Sequence, residues 1–407
     1  MCPPFLRKVI MAKKSLAIGI LLCFLISIPA WPAKKITTLN WAASINNSDS
    51  KAEPQVQVIE NPAKPPGRKP ARVVELKPVL SIMDQPENFF FKYPSDIKLS
   101  RNGHIFVLDK EQILHFDSSG KFLGNYFKKG QGPGEMQMVT DIVIDGENLV
   151  AFDIYPRKLC RFDFNGNLLS EIKVSAPQIG GSLVHIDGSS YYFVRSDFPD
   201  TGGKWIKVDN LNYFQVYDAK TNKLEELAAF PITTWAISQG GSRGRADTTP
   251  FRAIPYKNNQ FIISHTEDYL LKIFDVEKKQ VVATFRRKYK RVKTPEKKEP
   301  LGWIIGIGGQ RYSYNPTHFN DILQVLVMGD LIWALTSTVD KSKGLLVDVF
   351  NQEGKYVDCF YLKFPFEVKP NSSTLGIGLA IDPEGQSLWA TVKNPDETFS
   401  IKKFQLD

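Results

Sequence analysis

A recurring turn is the feature that most constrains this chain. Five times an aromatic residue is followed by Asp or Asn, a short polar turn and a returning apolar run: Phe116-Asp117, Phe162-Asp163, Tyr217-Asp218, Phe274-Asp275 and Phe350-Asn351. A short carboxylate or amide at this position accepts backbone N–H groups within the turn, so each copy starts an antiparallel return. An earlier hairpin precedes each copy. In the first two units it turns at Asn102-Gly103 and Asp145-Gly146, where glycine supplies the positive φ of a tight connection. Later versions join residues 183–186 to 191–194, 251–255 to 261–264, 322–327 to 331–335, and 378–381 to 387–390. Two hairpins per unit make four antiparallel strands, and a repeat of this kind is read before any local motif.

The units begin near residues 94, 139, 181, 250, 319 and 376. The predicted fold is therefore all-β, a six-bladed β-propeller over residues 71–407, although lengthened connections in units three to five leave five or seven blades open. The last unit stops at Ser400–Asp407, one strand short. The run Val73–Leu76 with Val79–Met83 is expected to supply that outer strand and so cover two exposed sheet edges at once.

Before the repeats, Arg7, Lys8, Lys13 and Lys14 precede the apolar run Ser15–Ile28, which closes on Pro29 and Ala30. This is the layout of a secretory signal over residues 1–30, too short and too soon followed by proline for a comfortable membrane anchor. Met11 is an alternative start. Cys23 lacks the small-residue setting of a lipoprotein signal. Residues 31–70, crowded with Pro, Asn, Ser and Lys, read as a flexible Pro-rich linker. The expected location is secreted or periplasmic, with surface association open and no membrane span after cleavage.

The formal charge is +9, but four of those charges lie in the signal region, which has no acid. Much of the rest falls in Arg286–Pro300, which reads as a solvated charged loop. A basic footprint spread over the fold is absent, so nucleic acid is not an expected partner. Cys160 and Cys359 fall in different repeats and read as small buried hydrophobes, without a disulfide.

Gly130-Gln131-Gly132-Pro133-Gly134-Glu135, the Asp141–Asp153 hairpin, and Arg161-Phe162-Asp163 with Gly166 together resemble the six-bladed NHL-like and YncE-like propellers, including an exported bacterial group. The resemblance spans about residues 73–407. It implies the fold, and it extends to families that bind proteins, glycans or small molecules as well as to hydrolases and lyases.

Strand alternation sorts the connections. Turns joining first to second and third to fourth strands leave on one face and are short. Second-to-third and unit-to-unit connections leave on the other, and they carry every long insertion: 196–210, 231–250, 286–318 and 336–343. Recognition concentrates in such connections. Trp205, Arg243, Arg245, Trp303, Arg311, Tyr312 and Tyr314 are the candidate binding residues, the guanidinium groups for anionic groups and the rings for stacking. The alternative role of these rings is to hold the long loops against the disc. The Gly130–Glu135 loop lacks the Lys-Ser/Thr and helix of a phosphate cradle, and neither G-x-S-x-G nor H-E-x-x-H occurs.

Of five histidines, His265 and His318 approach the elaborated face, and with Asp268 and Asp321 they form a weaker metal or acid–base candidate set. Asp96, Asp141 and Asp321 read as turn acceptors or channel-lining groups. The preferred function is non-enzymatic recognition or scaffolding toward a protein, glycan or small ligand, with no cofactor. A hydrolase or lyase using a divalent cation near the central channel is the alternative, and a purely structural envelope module is a third reading.

Overall fold

The computed structural model describes residues 56–406 apart from 57, 67–71, 175–180, 258, 297–303, 308, 372–374 and 376. The signal region and Trp303 lie outside these residues. The described chain is all-β and consists chiefly of antiparallel meanders. Sheet one contains Pro94–Leu99, Ile105–Asp109, Ile113–Phe116 and Phe122–Asn125; sheet two contains Val139–Asp145, Asn148–Ile154, Arg157–Asp163 and Leu168–Lys173. Sheet three contains Ser182–Asp187, Ser190–Ser196, Ile206–Asp218, Lys223–Gln239 and Ser242–Asp247. Sheet four contains Arg252–Pro255, Gln260–Ser264, Leu271–Asp275 and Gln280–Arg287, and sheet five Ile322–Met328, Leu331–Asp340, Gly344–Phe350 and Tyr356–Lys363. Sheet six joins Leu379–Ile381, Ser387–Lys393 and Phe399–Gln405 to Pro78–Ile82 from the other end of the chain.

The predicted turn chemistry accounts for the hairpins. Asp163 accepts from the N–H groups of Asn165 and Asn167 at 2.9 and 2.8 Å, and Asn351 from those of Glu353 and Lys355 at 3.0 Å each. At Gly354, φ is +72° and an added Cβ would lie 2.7 Å from the Phe285 ring, so geometry and crowding both demand glycine. A second device was not anticipated. Asp153, at the end of a second strand, accepts from the N–H groups of Gln137 and Met138 at 2.8 Å each, and Asp109 does the same for Lys92 and Tyr93. The carboxylate thus fixes the segment that enters its own sheet's first strand.

Second strands are continuously apolar because both of their faces are buried. Phe106 and Leu108 pack toward sheet two, with Ile142 and Ala151, whereas Ile105 and Val107 pack toward sheet six, with Trp389 and Ile401. Each neighbouring pair of sheets has such a core. The first strand of each sheet touches that of the next, and the first strand of sheet six touches that of sheet one.

The N-terminal segment divides its work differently from the expectation. Pro78–Ile82 is the outer strand of sheet six, with Ile82 opposite Ile401 and Leu80 opposite Lys403. Val73–Glu75 instead lies parallel to Tyr356–Lys363 on the edge of sheet five. Within the stretch read as a linker, Val58–Asn61 lies parallel to Gln280–Arg287 on the edge of sheet four. Asn61 holds it there: its Nδ2 donates to the carbonyls of Arg286 and Gly354 at 3.1 and 2.9 Å, and its Oδ1 accepts from Tyr356 N at 2.9 Å. Composition indicated too little apolar surface to order this segment, but existing sheet edges supply the backbone partners.

Candidate functional site

Parts of the expected long loops over sheets three to five are themselves β-structure. The third and fourth strands of sheet three run past the core, pairing Ile206 with Ala236, and the fourth turns at Gly240 and Gly241 into Ser242–Asp247. The glycine-rich stretch is therefore a hairpin tip. A separate hairpin, Ile304–Ile307 with Gln310–Ser313, packs against this extension. The stretch 336–343 is mostly strand as well, within Leu331–Asp340.

Trp205, Tyr312 and Tyr314 come together at the joint between the two insertions, with Trp235, which sequence reasoning missed. Ring centroids are 5.8 Å apart for Trp205 and Trp235, 5.7 Å for Trp205 and Tyr312, and 6.2 Å for Trp235 and Tyr314. Trp205 Nε1 donates to Ser313 O at 3.0 Å, and Tyr314 is buried. Arg245 is tied into the same structure: Nη1 donates to Asp197 O at 2.8 Å, Nε lies 3.2 Å from Asp247 Oδ1, and the guanidinium covers Phe198 at 4.7 Å. Arg243 and Arg311 are exposed.

Of His265, Asp268, His318 and Asp321, the two acids share one cationic partner, Arg291. Arg291 holds its guanidinium 3.1 Å from Asp321 and 3.2 Å from Asp268. His265 Nδ1 instead meets Pro231 O at 2.9 Å, and burial, with a contribution from Lys272, lowers its pKa to about 4. His318 Nδ1 lies 3.1 Å from Thr317 Oγ1. Among the described residues, no group of three or more His, Cys, Asp and Glu side chains is arranged to hold a metal. Within the basic run Arg287 is buried and pairs with buried Asp348 at 2.6 Å, whereas Arg286 pairs with Glu60 at the same distance while both stay exposed.

Four other aromatics are strongly exposed: Phe90 at 58%, Tyr93 at 51%, Tyr155 at 57% and Phe198 at 48%. Phe90 and Tyr93 lie between the outer strand of sheet six and the first strand of sheet one; Tyr155 and Phe198 lie between second and third strands. Strand alternation assigns all four to the connections of one face. They escaped notice because attention to insertion length favours long loops, whereas three of the four occupy shorter connections. Their signal was an aromatic outside any strand run, beside Pro94 and Pro156 in two cases.

Along the first strands, Lys98 and Asp96 pair at 2.9 Å, and Thr140 Oγ1 donates to Asp141 Oδ2 at 2.7 Å. Burial, reinforced by nearby Asp96 and opposed by Lys98, pushes the Asp141 carboxyl up to about 6. The folded state therefore retains a proton that the unfolded chain releases near pH ~4. This contribution favours folding below that pH and is lost as pH rises to about 6. Asp321, also raised to about 6, titrates in the same window. In thermal melts from pH 4 to 7, Asp141→Asn is expected to gain on the unaltered protein up to about pH 6 and to level off above it; a constant difference would contradict the assignment.

Residues 83–232 match the DUF5128 family, described as a 6-bladed beta-propeller. No curated protein matches the chain. The fold is similar to a crystal structure described as an exported protein of Bacteroides fragilis NCTC 9343, at 14% identity and a TM-score of 0.50, covering 86% of this chain and 99% of that one. It is also similar to a DUF4221 member from Bacteroides vulgatus, at 12% identity and a TM-score of 0.51, covering 82% and 98%. These likenesses support a shared propeller-like, all-β fold. Among the described residues, no helix is long and apolar enough to cross a membrane.

Proposed function

We propose that the six sheets close into a six-bladed propeller of the NHL-like and YncE-like kind, acting outside the cytoplasm as a non-enzymatic recognition or scaffold protein. Its binding face is the one bearing second-to-third and sheet-to-sheet connections, and its ligand is a protein, glycan or small molecule. The carrying observation is the placement of Phe90, Tyr93, Tyr155 and Phe198, all strongly exposed and all in those connections. Exposed rings on a rigid frame present large contact area at small entropic cost, the property of binding anchors. Arg243 and Arg311 add exposed cations, while Trp205, Tyr312 and Tyr314 brace the insertions beside them. The basic leader with its apolar run supports export, as does a similar fold described as exported. The metal-dependent alternative has less support, because Arg291 occupies the space between its acids.

The test uses the full chain on printed glycan and peptide arrays, followed by titration of the strongest binder. Combined Phe90→Ser, Tyr93→Ser, Tyr155→Ser and Phe198→Ser changes are expected to weaken that binder at least tenfold, with melting unchanged. Leu123→Ser with Leu169→Ser, exposed on outer strands, should leave binding intact. Equal losses in both variants, or none in the first, would reject this face.

A further inference from the structure

The N-terminal segment closes the outer edges of sheets four and five by one device. Val58-Ile59-Glu60 lies parallel to the fourth strand of sheet four, and Val73-Val74-Glu75 lies parallel to that of sheet five. The middle side chain packs into the core shared with the following sheet, Ile59 into that of Phe285 and Val74 into that of Leu362. The glutamate meets a cation of the fourth strand: Glu60 lies 2.6 Å from Arg286 and Glu75 2.8 Å from Lys363. Such an edge therefore takes an extended segment of two apolar residues followed by an acid.

Sheet two presents a matching edge. Among the described residues, no strand lies on the outer side of its fourth strand, Leu168–Lys173. This strand and its counterpart in sheet four both leave an aromatic-Asp turn and pass one bulge, after which the pair Leu159 and Ile172 corresponds to Leu271 and Phe285. Lys173 thus falls at the position of Arg286. Its backbone is presented outward, because Val174 N–H points inward to Arg157 O at 3.0 Å and successive residues alternate. Its side chain is exposed and, among the described residues, forms no ion pair. The neighbouring Glu171 is already held by Lys158 at 2.9 Å and by the Gly134 N–H at 3.0 Å. Ile172, partly buried against the core shared with sheet three, takes the place of Phe285.

We propose that the outer edge of sheet two binds an extended segment of another protein, added in parallel as a fifth strand, with an apolar residue beside Ile172 and a carboxylate on Lys173. Main-chain hydrogen bonds supply affinity, and the apolar and acidic positions select the segment. The site lies on an outer strand, apart from the connections that carry Phe90, Tyr93, Tyr155 and Phe198.

The probe is a fluorescein-labelled peptide, Val-Gln-Val-Ile-Glu-Asn-Pro, the sequence of residues 56–62, titrated into the full-length chain by fluorescence anisotropy. It should bind saturably and slow hydrogen exchange in Leu168–Lys173 while leaving Gln280–Arg287 unchanged. Lys173→Glu, at an exposed position, should keep the melting temperature and weaken this peptide about fivefold, since opposite charges across paired strands stabilise and like charges repel. A second peptide, with lysine in place of the glutamate, should bind Lys173→Glu more tightly than the unaltered chain. Absence of saturable binding, slowed exchange in Gln280–Arg287 instead, or the same ranking of the two peptides by both proteins would overturn the proposal.

Discussion

A chain beginning at Asp84 is expected to lose cooperative folding, or to melt well over ten degrees below a chain beginning at Val56. The shorter chain lacks Pro78–Ile82, leaving Phe399–Gln405 as an unpaired edge. It also loses Ile82 and Leu76, which are 2% and 3% exposed and belong to separate cores. Burying each side chain is worth about 1.5–3 kcal/mol. Their combined loss is a large part of the roughly 5–15 kcal/mol that holds a domain folded. A chain beginning at Arg72 keeps both side chains and loses Val58–Asn61, the Asn61 contacts and the Ala63 carbonyl that accepts from Arg287, so it should lie between the others. Soluble yield and circular-dichroism melts rank the three, and equal melting of the longest and shortest would show that the segment is dispensable.

Asp348→Ala should cost about 3–5 kcal/mol, the penalty for stripping one partner from a buried ion pair. Asp348 is fully buried, receives Arg287 Nε at 2.6 Å, and accepts from the hydroxyls of Tyr269 and Tyr356 at 2.8 and 2.6 Å. Burial opposes the Arg287 charge, but the carboxylate outweighs it and holds the guanidinium more firmly protonated. Arg287 Nη1 further donates to Ala63 O at 3.2 Å, linking this network to the N-terminal segment. Replacing both charges, as in Arg287→Met with Asp348→Leu, should cost less than Asp348→Ala alone, because no uncompensated charge remains. By contrast, breaking the exposed, solvent-screened Lys363–Glu75 pair should leave the urea midpoint essentially unchanged. Urea titration distinguishes these cases; additive losses at Asp348 and Arg287 would contradict the coupling.

The strands were legible because their signals are local. An Asp or Asn opening a turn and an apolar run between turns act within a few residues, and the structure realises both. The fate of Val58–Asn61 was not legible, since its order comes from sheet-four and sheet-five groups far along the chain, which composition cannot reveal. Arg291 and Asp321 show the same limit: their pairing across an insertion turns an apparent acid site into an ion pair. At the proposed binding face, connectivity sorted the loops by side, but the exposure of Phe90 and Tyr155 required coordinates. Apart from Trp303, which lies outside the described residues, the residues chosen from sequence divide between braces, such as Tyr314, and exposed groups, such as Arg243.

Hydrogen exchange of the full-length chain most directly tests whether Pro78–Ile82 and Phe399–Gln405 meet in one sheet, on which the proposed ring closure and binding face depend. Amides in Pro78–Ile82 and Phe399–Gln405 should exchange together, through the same rare opening that exposes the second strand Ser387–Lys393. Exchange of Pro78–Ile82 at the rate of an unpaired segment, with Ser387–Lys393 still protected, would contradict the account.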